Sequence, residues 1–266
     1  MAGVAIVGGT GASPGLSVRP VGGLPLFGPG DDLAGAITQA LAAAGDRLEP
    51  GDVVVVAQKV VSKVEDRTVP LAGVRPGEQA REVAAKTEKD PAVIELVVRE
   101  AQAIMRAVPG VVIVRHRTGH VLANAGIDAS NVSGGEGESV LLWPDDPDAS
   151  ARGLRAALEA AHGVRLAVII SDSLGRAWRM GTTGSAIGVS GMKPLRDRRG
   201  ERDLFGRELQ ATIIGVADEI AGAASLVIGE AAEGTPVAVV RGAVYDPDDE
   251  AGVAELLRPL DKDLFR

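Results

Sequence analysis

Cysteine is absent from the 266 residues, which excludes disulfide frameworks, thiolate metal sites and cysteine nucleophiles and leaves the redox compartment unmarked. Aromatic residues make up only 2% of the chain, so a core has to be assembled from Ala, Val, Ile and Leu. No apolar run approaches the ~20 residues that span a bilayer, and no basic segment precedes the short apolar run Val4 to Val7. Neither a membrane span nor export is expected, and the cytoplasm is the expected location. Positive charge is in deficit, with a formal net charge of -8. That balance argues against a surface made to wrap nucleic acid, which needs a dense Lys/Arg field. There is no GxxxxGK[ST] phosphate loop. His116, His120 and His162 lack metal-ligand spacing and are expected to be surface or hydrogen-bonding residues.

What is present is a 45% hydrophobic chain with 35 glycines, enough to bury a substantial core and make many tight turns. The mixture favours an α/β or α+β enzyme. Gly8 to Gly15 superficially matches a dinucleotide loop, but Pro14 and Gly15 lead into the extended-looking Ser17-Val18-Arg19-Pro20, so residues 1–18 are expected to be a flexible leader. Asp31 or Asp32 can cap a helix carrying Leu33, Ile37 and Leu41 and ending near Gly45. The β-branched run Val53 to Ala57 predicts a buried strand. Two helical patterns are expected within 77–106, split at Asp90-Pro91, followed by a strand at Val111 to Val114. Ser150 is placed to cap a helix at 151–161, and Leu166 to Ile170 predicts a strand delivering Ser171-Asp172-Ser173 at its end. Helix is expected from Gly206 to Leu226, a strand at Val237 to Val240 and a terminal helix at Ala251 to Leu257.

Several segments carry chemistry. Gly126-Ile127-Asp128-Ala129-Ser130-Asn131 suits a capped turn, or it pairs Asp128 with Asp172. Two carboxylates sharing a cavity repel unless a cation lies between them, and Asp128, Asp172, Ser173 and Glu230 offer the oxygen donors that Mg²⁺ or Mn²⁺ prefers. Lys59 and Lys63 follow the first buried strand, either as solvated surface groups or as phosphate-neutralising cations. Arg176, Arg179, Lys193, Arg196, Arg198, Arg199, Arg202 and Arg207 concentrate positive charge, but Asp197, Glu201 and Asp203 interleave with them. A phosphate-binding patch and a salt-bridged loop are both open. Gly229 to Gly234 would let backbone N–H groups approach an anion.

These segments together resemble the coenzyme F420-0:L-glutamate ligase family, which includes the ligase domain of longer actinobacterial proteins. The resemblance runs through Gly22-Gly23-Leu24-Pro25, Pro29-Gly30-Asp31-Asp32-Leu33, Gly51-Asp52-Val53-Val54-Val55-Val56 and Lys59-Val60-Val61-Ser62-Lys63. It continues through Ala125 to Val132, Ser171-Asp172-Ser173-Leu174-Gly175-Arg176, Asp203-Leu204-Phe205-Gly206, Ala217-Asp218-Glu219-Ile220-Ala221 and Gly229-Glu230. It implies an α+β fold of two interlocked subdomains with mixed sheets, occupying residues 19–266. It implies ligation of L-glutamate to coenzyme F420-0, and then to the singly glutamylated product, through an acyl phosphate formed from GTP. By the same resemblance Leu24, Pro25, Leu26, Phe27, Gln58, Lys59, Lys63 and Asn131 contact GTP, with Leu226, Val227, Ile228, Gly229, Glu230, Ala231, Ala232 and Glu233. Asp128 and Asp172 would hold one divalent ion, Ser173 and Glu230 a second, and Lys59 or Lys63 would stabilise developing charge. The family further implies a homodimer and allows K⁺ as an additional ion. Gln58 and Ser173 stand where relatives often carry Ser and Thr, each still with an oxygen donor. The residues alone would also serve a metal-dependent phosphohydrolase or a non-catalytic nucleotide-binding module.

Overall fold

The computed structural model describes residues 15–129 and 139–263. In chain order its elements are β1 (Ser17–Pro20), α1 (Leu33–Ala43), β2 (Val53–Ala57), α2 (Gln58–Val64), β3 (Thr68–Pro70), α3 (Glu78–Thr87), α4 (Pro91–Glu100), β4 (Ala101–Val108), β5 (Val111–His116) and β6 (Val121–Ala123). There follow β7 (Ser139–Leu141), α5 (Pro147–His162), β8 (Ala167–Arg176), β9 (Arg179–Ser190), β10 (Arg196–Asp197), β11 (Ile213–Ile214), α6 (Val216–Ile228) and β12 (Val237–Arg241).

The main sheet has the order β1-β12-β2-β8-β9 and is mixed, with β2 and β8 parallel and the other pairs antiparallel. Its central strands are covered on both sides, which is why β2 is a continuous β-branched run rather than an alternating one. Val54, Val56, Val168, Ile170, Val237 and Val239 face one layer with Ile37 and Leu41 of α1 and Leu158 of α5. Val53, Val55, Ala167, Ile169, Ala238 and Val240 face the other, against Ala217, Ile220, Ala221 and Ala224 of α6. Small residues let α6 lie close to β9: a Cβ on Gly184 would come 2.4 Å from the Ala221 carbonyl oxygen. Ile37 is fully buried at the centre of α1, and its truncation to Ala would cost ~2–5 kcal/mol.

Between α2 and α5 the chain leaves this sheet and builds the antiparallel sheet β4-β5-β6 under α3 and α4, packed through Ala80, Val83, Ile94, Val97, Val112 and Val114. The two-stranded ladder β3-β7 links that excursion back, with Val69 opposite Val140. The result is an α+β arrangement with mixed sheets. The sheet extends into the segment assigned to the leader, since Ser17 and Val18 pair with Arg241 and Val240. Residues 1–14, including the glycine-rich stretch, lie outside the described residues.

Where local signals agree, the elements fall as expected. Asp32 caps α1 by accepting from the Gly35 N–H at 2.9 Å, and Gly45 ends the helical region with φ 69°. Asp90 caps α4 with Pro91 behind it. Elsewhere the expectation is corrected. The second helix of 77–106 stops at Glu100, because 101–108 pairs with β5 through two register shifts that spoil its alternation. Asp146, not Ser150, caps α5, accepting from the Ala149 N–H at 2.9 Å with Pro147 opening the helix; Ser150 lies inside it. Residues 206–215 are not helical: Leu209 N–H bonds the Glu201 carbonyl in a hairpin turn, and α6 begins only after Gly215. The terminal helix contracts to a single 3-10 turn, Val253–Leu256.

Candidate active site

The parallel register of the main sheet builds the site. Ala57 lies opposite Ser171, so α2, which follows β2 directly, and Asp172-Ser173 of β8 open at the same end. β12 runs the other way, with Val237 opposite Val56, so the loop leading into it from α6 reaches that end too. The Val21 N–H bonds the Val237 carbonyl, and residues 24–27 continue from there. This convergence outside the carboxyl ends of parallel strands is where open sheets place ligands. It encloses a cavity of about 730 Å³, within the ~300–1,000 Å³ range of small-molecule sites.

Leu24, Pro25, Leu26, Phe27, Gln58, Lys59 and Lys63 line this cavity, with Asp128, Asp172, Ser173 and Ile228 through Glu233. The two carboxylates expected to pair are therefore in one cavity, although 44 positions apart in sequence. Leu226 and Val227 do not line it: Leu226 is 86% exposed and Val227 packs against the α6 side of the core. A helix turns successive side chains by about 100°, so at the end of α6 Ser225 and Ile228, three residues apart on one face, line the cavity while Leu226 and Val227 turn away from it. Gln58 is buried and its Oε1 accepts from the Ser62 hydroxyl at 2.9 Å. Asn131 lies outside the described residues.

Asp128 is fixed by its backbone, giving its N–H to the Leu141 carbonyl at 3.0 Å and accepting from the Leu141 N–H at 2.8 Å. Its Oδ2 lies 2.7 Å from Lys59 Nζ. Asp172 is held by both oxygens: Oδ1 accepts from the Ser173 N–H at 2.8 Å and Oδ2 from Trp143 Nε1 at 2.8 Å. Burial pushes the Asp172 carboxyl up, helped by the Asp128 charge and opposed by these two hydrogen bonds and by Lys59. Burial likewise pushes Lys63 down, with the Lys59 charge adding to it and Asp128 working against it. The Ser173 hydroxyl donates to Glu230 Oε1, which draws the loop after α6 to β8. That loop is tied behind as well, the Thr235 hydroxyl donating to the Val227 carbonyl at 3.0 Å and the Glu233 carboxylate accepting from the Ala231 N–H at 2.8 Å.

All donors aimed at a cation here are oxygens. Among the described residues no three His, Asp or Glu side chains converge into a ready cage. An ion with one or two protein carboxylates, filling its shell with phosphate and water, is the usual Mg²⁺ pattern, and Asp128, Asp172, Ser173 and Glu230 could hold one in that way. The basic run beyond β9 does not line the cavity. Arg198 bonds Glu201 and Arg199 bonds Asp197 within their own loop, and the Asp203 carboxylate accepts from the Phe205 and Arg207 N–H groups.

Sequence reasoning missed Trp143, which touches Asp172 and is fully buried. The available signal was a lone indole closing the apolar run Val140-Leu141-Leu142 in an aromatic-poor chain. His116 and His120 are hydrogen-bonding residues, as one of the two expectations had it, His116 with Thr118 and Glu100 and His120 with Thr118; both are buried, with ring centroids 4.9 and 5.4 Å from the indole. Burial alone would raise the Glu100 carboxyl behind them, but hydrogen bonds from His116 and Arg117, with the Arg117 and Arg67 charges, hold it at about 2. Burial and the neighbouring His116, opposed by a backbone hydrogen bond at Ala186, push His120 down to about 4.

Residues 23–242 match the family model described as F420-0:Gamma-glutamyl ligase. The chain is 44% identical over 253 residues to the Coenzyme F420:L-glutamate ligase of Methanothermobacter thermautotrophicus, covering 95% of this chain and 99% of that protein. It is 43% identical over 259 residues to the protein of the same name from Methanopyrus kandleri, covering 96% and 100%. The counterpart from Archaeoglobus fulgidus is 43% identical over 251 residues, covering 94% and 96%. Matches of this extent, over a fold whose sheet ends bring the expected acidic and basic residues into one cavity, identify the chain as a member of the F420-0:gamma-glutamyl ligase family.

Proposed function

We propose that this chain joins L-glutamate to coenzyme F420-0, and then to the singly glutamylated product, using GTP with divalent metal ions. The observation that carries the reading is the meeting of Lys59 and Lys63 with Asp128, Asp172, Ser173 and Glu230 in one cavity of nucleotide size. The names borne by the relatives supply the substrates.

A free carboxylate is a poor acyl donor because oxide is a poor leaving group. In the proposed sequence a carboxylate oxygen of the F420 precursor attacks the γ-phosphorus of GTP, the bond to the β,γ-bridging oxygen breaks, and GDP departs. The glutamate amine then attacks the acyl carbon, inorganic phosphate leaves, and the amine loses a proton to give the amide. Divalent ions bound by Asp128, Asp172, Ser173 and Glu230 would supply charge neutralisation and alignment of the phosphates. Lys59 and Lys63 add positive charge from the α2 side, where oxygens of the triphosphate gain charge. Lys63 also holds its proton less tightly than a solvated lysine. The strip Leu24-Pro25-Leu26-Phe27 offers an apolar wall for a flat ring.

Association as a homodimer is part of the proposal. Trp178 and Met180 at the β8–β9 turn, and Leu204 and Phe205 in the loop beyond, are 84% to 98% exposed, an unusual display for large apolar side chains.

The test is GDP release with each co-substrate omitted in turn. Release that needs the F420 precursor and is raised by glutamate supports the ligase. Release undiminished when both are left out would favour a phosphohydrolase built on the same acidic pair.

A further inference from the structure

One short segment holds the backbone of Asp128 and the carboxylate of Asp172. Leu141 at the end of β7 exchanges two backbone hydrogen bonds with Asp128. Two residues on, the Trp143 indole donates to Asp172 Oδ2 at 2.8 Å. The indole itself has little freedom. His116 and His120 pack against its ring, and Arg67 Nε donates to the main-chain carbonyl of Trp143 at 2.8 Å. Arg67 is anchored in turn on Glu100 at 3.2 Å, and Glu100 also takes Arg117 at 2.8 Å. On the Asp128 side stands Gly126 with φ 69°, where a Cβ would come 2.2 Å from Trp143 Nε1. Backbone from the Asp128 segment is therefore in contact with the same nitrogen that bonds Asp172.

We infer that Trp143 is a positioning residue, which aims the Asp172 carboxylate and sets its separation from Asp128, and thereby governs the affinity of the site for a divalent cation. A neutral donor suits this role. It fixes one oxygen through one lone pair and leaves that oxygen able to bind a cation, whereas a lysine or arginine in its place would compete with the cation. Residues that orient a metal ligand are typically worth ~10–100-fold in metal affinity. The inference rests on the divalent-ion reading proposed above.

The experiment titrates Mn²⁺ alone into the full chain, following free Mn²⁺ by electron paramagnetic resonance, for wild type, Trp143→Phe and Asp172→Asn. The expected result is about a tenfold weaker binding in Trp143→Phe and none at the Asp172 site in Asp172→Asn. Ligase turnover of Trp143→Phe should be restored by excess Mn²⁺ at a temperature where thermal melts show its metal-free form fully folded, so that the rescue is not stabilisation of the fold by bound metal. Should Trp143→Phe fail to fold, Trp178→Phe leaves Trp143 as the only tryptophan, and its emission should be quenched by Mn²⁺ with the midpoint of the binding curve. Wild-type affinity in Trp143→Phe alongside lost binding in Asp172→Asn overturns the role of Trp143 alone, as does emission unmoved by saturating Mn²⁺. A wild-type chain that binds no Mn²⁺ overturns the divalent-ion reading and this inference with it.

Discussion

Lys59 Nζ stands 2.7 Å from Asp128 Oδ2, joining the first turn of α2 to the segment that follows β6. The ammonium also lowers the cost of holding Asp172 charged nearby, since it opposes the effect of burial on that carboxyl. Replacing Lys59 by Met removes this charge from the cavity. Turnover, measured as GDP release with all substrates present, should fall by ~10²–10³-fold, the usual loss for a preorganised charge-stabilising donor. The melting temperature should barely move, because a partly exposed ion pair contributes only ~0–1 kcal/mol. Lys59→Arg should recover part of the rate, keeping the charge but not its compact geometry.

The buried histidine next to Trp143 predicts sensitivity to acid. Unfolded, His120 takes up its proton near 6.5, and in the folded chain only at about 4. Between those values the unfolded state binds more protons, so stability present above pH 6.5 drains away as the pH falls toward 4, by ~3 kcal/mol in all. Glu100 extends the loss, its contribution being complete above 4.5 and vanishing as the pH falls through about 2. Thermal melts at intervals from pH 7.5 to 4 should show this decline, and His120→Gln should flatten it above pH 4.5.

Helix α5 tests the capping assignment. Asp146→Ala removes the acceptor for the Ala149 N–H and should cost ~1 kcal/mol in denaturant unfolding. Ser150→Ala, whose hydroxyl bonds Glu65 and the Asp146 carbonyl from inside the helix, should cost clearly less. Equal losses would show that the bonds of the Ser150 hydroxyl hold the start of α5 as firmly as the Asp146 cap does.

Gly126→Ala should destabilise the chain on two counts. A non-glycine residue in the left-handed region costs ~1–2 kcal/mol, and its Cβ would displace the Trp143 indole. A lower melting temperature accompanied by weakened divalent-ion binding is the expected pair of results. A melting temperature equal to wild type would show that the contact is loose.

Legibility in the sequence followed the range of the forces involved. Helix α1 was legible because Asp32, the spacing of Leu33, Ile37 and Leu41, and Gly45 all act within a few residues and agree. The run Val53 to Val56 was legible because a strand buried on both faces has no polar face to confuse it. Strand β4 was not, since Gln102, Ala103, Met105 and Arg106 carry helix-compatible side chains and only pairing with β5 makes them extended. The Leu209 and Ile213 spacing misled in the same way: both fit a helix that the Gly215 turn and the β10–β11 pairing interrupt. At the site, oxygen-donor chemistry pointed to Asp128 and Asp172 as a pair, and the parallel register of β2 and β8 brings Lys59 beside them. Trp143 stayed hidden because its role depends on a contact 29 residues away, which no local pattern encodes.

The most direct measurement gives the chain an F420 precursor labelled with ¹⁸O in its carboxylate, together with GTP, Mn²⁺ and L-glutamate, and analyses product and phosphate by mass spectrometry. The account predicts a product heavier by one glutamyl unit, one ¹⁸O atom transferred to inorganic phosphate, and neither outcome in Asp172→Asn. Phosphate released without ¹⁸O and without a glutamylated product would contradict it.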